Sequence, residues 1–349
     1  MRTFCKLVAV TLLVAACDGQ KQQAQQQEQK TDSLVVNVYT HRHYEADKEL
    51  FAQFEKQTGI KVNVKTASAD ELQKLMEMEG DKCPADVLIT VDAGRLVRAK
   101  EKGLLQPVHS QVLNANIPAH LRDPEGYWYA LTQRARVIVY HKDKVKPSEL
   151  STYEALTSPK WKKRILVRSS DNIYNQSLLA SIIAHKGEET ALLWAKGIVA
   201  NMARPPKGND RDQIYAIANG EGDIALVNTY YLGQMLNSKE PTDTLAAKKI
   251  GIFFPNQQDR GTHINVSGAG VARYAPNKEN AIKLLEFLTS DQAQQVFAQA
   301  NQEYPVKTGV PLSSILASWG SFKADTLNIA QLGKLNATAV KIFDMAGWK

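Results

Sequence analysis

The sequence predicts an α/β protein of two lobes. Three observations point there. A strand–helix rhythm begins at Leu34, the same rhythm restarts near Arg136, and the 349 residues, 44% hydrophobic and 23% charged, suit an ordinary globular chain with ample core.

The first elements follow from spacing. Leu34 to Tyr39 is an apolar strand, and Tyr44 to Thr58 is a helix with Leu50, Phe51 and Phe54 on one face, closed by Gly59. Ile60 to Val64 alternates as a strand, and Asp70 to Glu79 places Leu72, Leu75 and Met76 on one side of a helix. Ala85 to Thr90 is a buried strand, and Asp92 caps a helix that stops at Gly103. Further along, Arg136 to His141, Arg164 to Arg168 and Ile224 to Val227 are strands, and Asn172 to His185 is a helix. Helical patterns from Asn277 to Leu288 and from Asn336 to Met345 close the chain. Strands alternating with helices predict a mostly parallel sheet, with the ligand beyond the strand C-termini where helices start.

The N-terminus is expected to lie outside this fold. MRTFCKLVAVTLLVAAC has a short basic start, an apolar run too short for a permanent span, and small residues before Cys17, as in a secretory signal. Val14 to Cys17 resembles the lipobox of bacterial lipoproteins, which implies cleavage after residue 16 and a lipid on Cys17. An ordinary signal peptide containing a cysteine is the other reading. Asp18 resembles an inner-membrane retention signal, so the expected location is the periplasm, tethered to the inner membrane. The glutamine-rich stretch before Ser33 is a flexible tether, giving residues 17–32 as lipidated cysteine plus linker. With Cys5 in the signal and Cys17 acylated, Cys83 is left as a buried thiol and no disulfide can form within one mature chain.

Charge narrows the function classes. The formal +7 becomes +5 without Arg2 and Lys6, and basic residues are scattered rather than gathered into a patch, which argues against nucleic acid as a partner. No GxSxG elbow, HExxH, P-loop or paired-carboxylate pattern appears, so an enzyme is not expected.

Three strand-to-helix junctions share one feature. VVNVYTHRHYEADKEL puts His43 and Tyr44 at the first; ILVRSSDNIYNQSLL puts Tyr174 in the first helical turn, with Ser170 or Asp171 as cap. IALVNTYYLGQML places Tyr230 and Tyr231 just inside the third, with Thr229 as cap. A phenol titrates near 10 and is ordinarily neutral, but a cation of high charge removes its proton, and phenolate is a hard oxygen donor. Tyr44, Tyr174, Tyr230 and Tyr231, with His43 available, are therefore candidates for an Fe³⁺ site.

HRHYEAD, PADVLITVDAGRL, NIYNQSL, NTYYLGQM and NQEYPV together resemble the ferric-ion-binding subunits of bacterial iron ABC transporters, in order and over nearly all of residues 33–349. The resemblance implies a type 2 periplasmic-binding-protein fold with a hinge and an interlobe cleft, closing on iron and delivering it to a membrane permease. It places Tyr44, Tyr174, Tyr230 and Tyr231 on the family's tyrosine ligands and His43 where some members use a histidine. Four phenolates with Fe³⁺ sum to −1, so a nearby cation is expected; Arg134 resembles a family arginine beside the metal, and Arg42 is a second candidate. A fourth tyrosine resembles the branch that manages without carbonate or another small anion. The lobes are expected at 33–133 plus 258–306 and at 134–257 plus 307–349, in a monomer.

Other readings stay open. The same fold binds small organic solutes such as thiamine, polyamines or phosphonates, on which the tyrosines would stack. Tyr127, Trp128 and Tyr129 are read as packing near the hinge or as an aromatic box for an organic cation. His41 is read as hydrogen-bonded and Tyr304 as structural; Asn175 and Ser169 either support an anion or cap the helix.

Overall fold

The computed structural model describes residues 34–42 and 44–349. The expected leader, Cys17, the tether and His43 lie outside the described residues. Among the described residues there are ten strands: β1 Val35–Thr40, β2 Lys61–Thr66, β3 Val87–Val91, β4 Leu105–Gln106, β5 Tyr129–His141, β6 Ile165–Leu166, β7 Ile224–Asn228, β8 Ile250–Phe253, β9 Ile264–Ala272 and β10 Tyr304–Pro305. The helices in the first stretch are α1 Glu45–Thr58, α2 Ala69–Glu79, α3 Ala93–Glu101 and α4 Gln111–Asn116. Then come α5 Ile173–Asn201, α6 Asp210–Ala218, α7 Thr229–Leu236, α8 Pro241–Lys248, α9 Lys278–Leu288, α10 Asp291–Val296, α11 Ser314–Ser318, α12 Ala330–Lys334 and α13 Asn336–Ala346.

The strands follow the order β2-β1-β3-β9-β5-β7-β6, with β4 on β9 and with β8 and β10 on β5. Here the expectation of a mostly parallel sheet is overturned. Only β1 with β2, β1 with β3, and β6 with β7 are parallel; β9 and β5 pair antiparallel with all their neighbours. The strand responsible is β9, INVSGAGVA, which was not predicted. Its small residues hide the apolar signal, yet they are needed for close packing: a Cβ on Gly268 would stand 2.7 Å from the Tyr129 carbonyl oxygen, and one on Gly270 would stand 2.5 Å from that of Tyr127.

The long strand β5 changes partners along its length. Tyr129 to Ala135 pair with β9, while Arg136 to His141 pair with β7 and β8. One strand thus runs through both halves of the sheet, and residues Leu34–Lys349 pack into one compact unit. Leu50, Phe51 and Phe54 bury one face of α1 against the first half, as their spacing predicts. Gly59, at φ 72, closes that helix in the left-handed region that glycine enters without a Cβ penalty. Trp128, Trp161 and Trp348 are among the largest fully buried side chains. Cys83 is also buried, and burial pushes its thiol up to about 11, which keeps it protonated at neutral pH.

Two caps differ from expectation. Asn172, not Ser170 or Asp171, caps α5 by accepting from the Tyr174 N–H at 3.2 Å, because the Ser169 hydroxyl has already taken the Asp171 N–H in the turn before it. Asn228 precedes α7 as its cap residue, and Thr229 is instead the first helical residue, its hydroxyl accepting from the Ala135 N–H at 3.3 Å. That bond ties the start of α7 to β5 where the strand changes partners.

Gly268→Ala should lower stability by about 1–3 kcal/mol, because the added methyl meets backbone that cannot move aside. Equilibrium urea unfolding measures it, and a midpoint equal to wild type would contradict the tight β9–β5 contact.

Candidate metal centre

Each of the three junctions delivers its tyrosine to the start of a helix. Tyr44 is the extended cap residue of α1, Tyr174 is the second residue of α5, and Tyr230 and Tyr231 are the second and third of α7. Those helices lie on different parts of the sheet, yet their phenols converge. The Tyr230 hydroxyl donates to that of Tyr174 at 3.3 Å, and the Tyr230 and Tyr231 rings lie 4.3 Å apart, tilted by 30°. Tyr44 is close enough to Tyr174 and Tyr230 for their charges to couple.

Burial pushes the phenols of Tyr44, Tyr230 and Tyr231 well above the ordinary phenol value. Neighbouring oxygens push further in the same direction: Glu303 for Tyr44, and Tyr174 for Tyr230 and Tyr231. All three are neutral at pH 7 until something supplies strong positive charge.

Positive charge stands behind them. The guanidinium carbons of Arg134 and Arg168 each lie 5.5 Å from the Tyr174 ring centre, and that of Arg136 lies 5.9 Å away. Arg134 is buried; its Nη1 reaches the Ser267 hydroxyl at 3.4 Å, while Nε and Nη2 have no hydrogen-bond partner. Arg42, the other expected cation, lies 4.9 Å from the Tyr44 ring but is already taken. It grips Asp47 at 2.9 and 3.0 Å and Glu303 at 3.0 and 3.4 Å. Two carboxylates more than balance its charge, so the Arg42 side offers no spare positive charge.

Several residues of this shell were not singled out from sequence. Glu303 accepts from Arg42, from the Thr132 hydroxyl at 2.8 Å and from the Ser267 hydroxyl at 3.4 Å. Burial alone would raise its carboxyl, but Arg42 outweighs burial and holds it below the ordinary range. Asp92 is fully buried at φ 78 and accepts from the Gly94 N–H, the Ser177 hydroxyl and the Asn265 amide, at 2.8 to 2.9 Å. Burial raises its pKa, with Arg134 opposing. Its bond to Ser177 joins the α3 side of the structure to α5. NQEYPV contains Glu303, and Asp92 stands in PADVLITVDAGRL as the expected cap of the next helix, a role the structure bears out through the Gly94 N–H. An isolated acid in sequence otherwise resembles a surface residue.

The remaining candidates are occupied elsewhere. His41 meets the Thr90 hydroxyl at 3.2 Å and Arg95 at 3.4 Å. Asn175 accepts from Arg136 and donates to the carbonyls of Arg168 and Ser169, so it has no amide hydrogen left for an anion. Trp128 and Tyr129 are core residues, and Tyr127 already carries the Lys100 ammonium 4.7 Å from its ring. Tyr304 packs edge-on against Phe322, its hydroxyl without a hydrogen-bond partner. Among the described residues no group of three or more His, Cys, Asp or Glu is arranged to hold a metal, and no helix is long and apolar enough to cross a membrane.

A family profile for bacterial extracellular solute-binding proteins matches residues 82–322. The chain belongs to that family. It is similar to iron uptake protein A1 of Synechocystis sp., 52% identical over 98% of this chain and 95% of the relative. Among solved structures it is similar to a Trichodesmium protein (IdiA, FutA) in complex with iron and citrate ligands. That likeness has 55% identity and a TM-score of 0.88 over 90% of this chain and 100% of the other. The ferric binding protein from Campylobacter jejuni matches with 43% identity and a TM-score of 0.86, over 90% and 100% of the two chains. This solute-binding protein therefore has the two-lobed α/β fold of periplasmic receptors, with a hinge and a cleft between lobes, and it is not an enzyme.

Tyr304→Phe removes a buried hydroxyl that has no partner, so stability should hold or rise by up to about 1 kcal/mol. A thermal or urea midpoint lower by more than that amount would mean the hydroxyl has a role its surroundings do not reveal.

Proposed function

We propose that the chain is a periplasmic receptor of an iron-uptake system. In this reading it binds ferric iron between its lobes through the phenolate oxygens of Tyr44, Tyr174, Tyr230 and Tyr231, and hands it to a membrane ABC permease. The observation that carries the reading is the convergence of these four phenols, from three helix starts, on one largely buried place lined by arginines, with Tyr230 buried and the other three half-buried. The named functions of the relatives, iron uptake and ferric binding, support the same cargo.

The chemistry fits a hard trivalent ion. Fe³⁺ displaces the phenolic protons and repays the desolvation that keeps them neutral. Four phenolates leave the complex at −1, and Arg134, with free Nε and Nη2, supplies the balancing charge. His43 is a further candidate ligand. Carbonate or another small anion is not required, because Asn175 and Ser169 are used within the protein. An organic cation such as thiamine or a polyamine is less suited, because Lys100 already occupies the Tyr127 face.

In the same reading the lobes are 33–133 plus 258–306 and 134–257 plus 307–349, with Tyr44 from the first and the other three tyrosines from the second. The change of partners in β5 between Ala135 and Arg136 and the Asp92–Ser177 bond support a closure that completes the site. A lipid on Cys17 would hold the monomeric receptor at the inner membrane.

Protein lacking residues 1–30, purified in air, should carry iron and a visible phenolate-to-iron charge-transfer band. Tyr230→Phe or Tyr231→Phe should fold normally, shift that band and lose iron to citrate at least about tenfold more readily, one hard donor having gone. If both variants keep the wild-type band and retention, the ligand assignment fails.

Acidity gives a second test, with its sign fixed by the raised phenols. Tyr44, Tyr230 and Tyr231 hold their protons in the metal-free state, so binding iron releases protons and acid weakens binding. Apparent affinity should fall by about tenfold per pH unit for each phenol that ligates. A citrate-competition titration that is flat with pH would exclude phenols as the donors.

A further inference from the structure

Arg136 and Asp210 form an ion pair at 2.6 Å between Nη1 and Oδ2, with both side chains cut off from solvent. Phenolate ligation assigns neither of them a part, yet they join the segments that carry three of the phenols. Arg136 Nη2 donates to Asn175 Oδ1 at 2.9 Å, and Asn175 directly follows Tyr174. Its Nη1 also donates to Asn228 Oδ1 at 3.2 Å, and Asn228 is the cap residue two positions before Tyr230. Asp210 Oδ2 accepts the Asn228 backbone N–H at 2.8 Å, and Oδ1 accepts from Arg168 at 3.3 Å. Asn175 closes the circuit by donating to the carbonyls of Arg168 and Ser169, at 3.0 and 3.1 Å.

We infer that the Arg136–Asp210 pair is a positioning device that locks the start of α5 to the start of α7, so that Tyr174, Tyr230 and Tyr231 hold their mutual geometry before the cation arrives. The inference rests on the iron-binding reading above for its purpose, though not for its geometry. Two plainer roles fit less well. A buried ion pair adds little net stability compared with an apolar pair of the same volume, so stability alone does not account for it. A simple counter-charge could be a lysine ammonium, whereas here a planar fork reaches two side-chain acceptors on two different helix starts.

The pair orders the phenols rather than touching the iron, so its test needs a readout in the iron-free protein. Asn175→Ala removes the link to Tyr174 without changing any charge, and Arg136→Lys keeps the charge but loses the fork. Asp210→Asn removes the ion pair itself. With ring-labelled tyrosine, the NMR signals of Tyr174 and Tyr230 should be single and sharp in iron-free wild type, and broadened or doubled in each variant. Thermal unfolding should stay a single cooperative transition. In the ferric form each variant should release iron to citrate at least about fivefold faster, with a shifted charge-transfer band.

If Asp210→Asn does not fold, Asn175→Ala and Arg136→Lys decide. Wild-type ring signals and iron release in those two folded variants would overturn the inference. A wild-type protein with no visible band would instead count against the iron reading, leaving the iron-free ring signals to judge the pair alone.

Discussion

Taking a phenolate out of water is costly, and placing it beside other phenols costs more. Both effects act on Tyr44, Tyr230 and Tyr231. On the proposed reading the site is therefore a set of donors that stay neutral until a cation of sufficient charge arrives, and the rest of the structure can be understood from that constraint. A cluster of carboxylates would be charged at neutral pH and would attract divalent ions abundant outside the cell. Buried phenols are silent toward weak cations, and their protonation sets a threshold that charge density must exceed. Among the described residues no group of three or more carboxylate, histidine or cysteine side chains is placed to hold a metal.

The fold meets this constraint with one strand. In β5 the residues Arg134 and Arg136 are two apart and so project from the same face, which places both guanidinium groups within 6 Å of the Tyr174 ring. Arg134 lies in the stretch that pairs with β9, and Arg136 in the stretch that pairs with β7. The positive charge is built into the backbone crossing that joins the two halves of the sheet. Asp210 offsets part of this charge, accepting from both the buried Arg136 and the half-buried Arg168.

Much of this was legible in the sequence. The tyrosines announced themselves because each stands where an apolar strand run gives way to a capped helical pattern, and that transition is the strongest local signal a sequence carries. The start of the α5 helix was predicted within one residue, although Ser170 and Asp171 looked like better caps than Asn172; three adjacent cap-forming residues cannot be ranked without the turn that Ser169 makes. The sheet order was not legible. The strand β9 is built of glycine, serine and alanine because other backbones press against it, and the residues that permit close packing are those with no hydrophobic signature. Asp92 was legible as a helix cap and no more, and Asp210 and Glu303 were not legible as buried acids: such an acid is recognised by its partners, and Ser267 and Arg42 lie 36 and 261 residues from Glu303. Arg42 drew notice for its position beside Tyr44, and only the structure reveals that two carboxylates have already claimed it.

The two sides of the cluster are also built unequally. Tyr174 and Tyr230 touch through their hydroxyls, Tyr230 and Tyr231 stack, and Arg136 with Asp210 ties the helix starts beneath all three. Tyr44 comes from the far junction after β1, accompanied by Arg42, Asp47 and Glu303, a group in which two carboxylates outweigh one guanidinium. Under the proposed iron-binding reading, three phenols tied together by hydrogen bonds and ring contact and a fourth carried on a separate segment fit a cation that is met first by Tyr174, Tyr230 and Tyr231 and then enclosed by Tyr44.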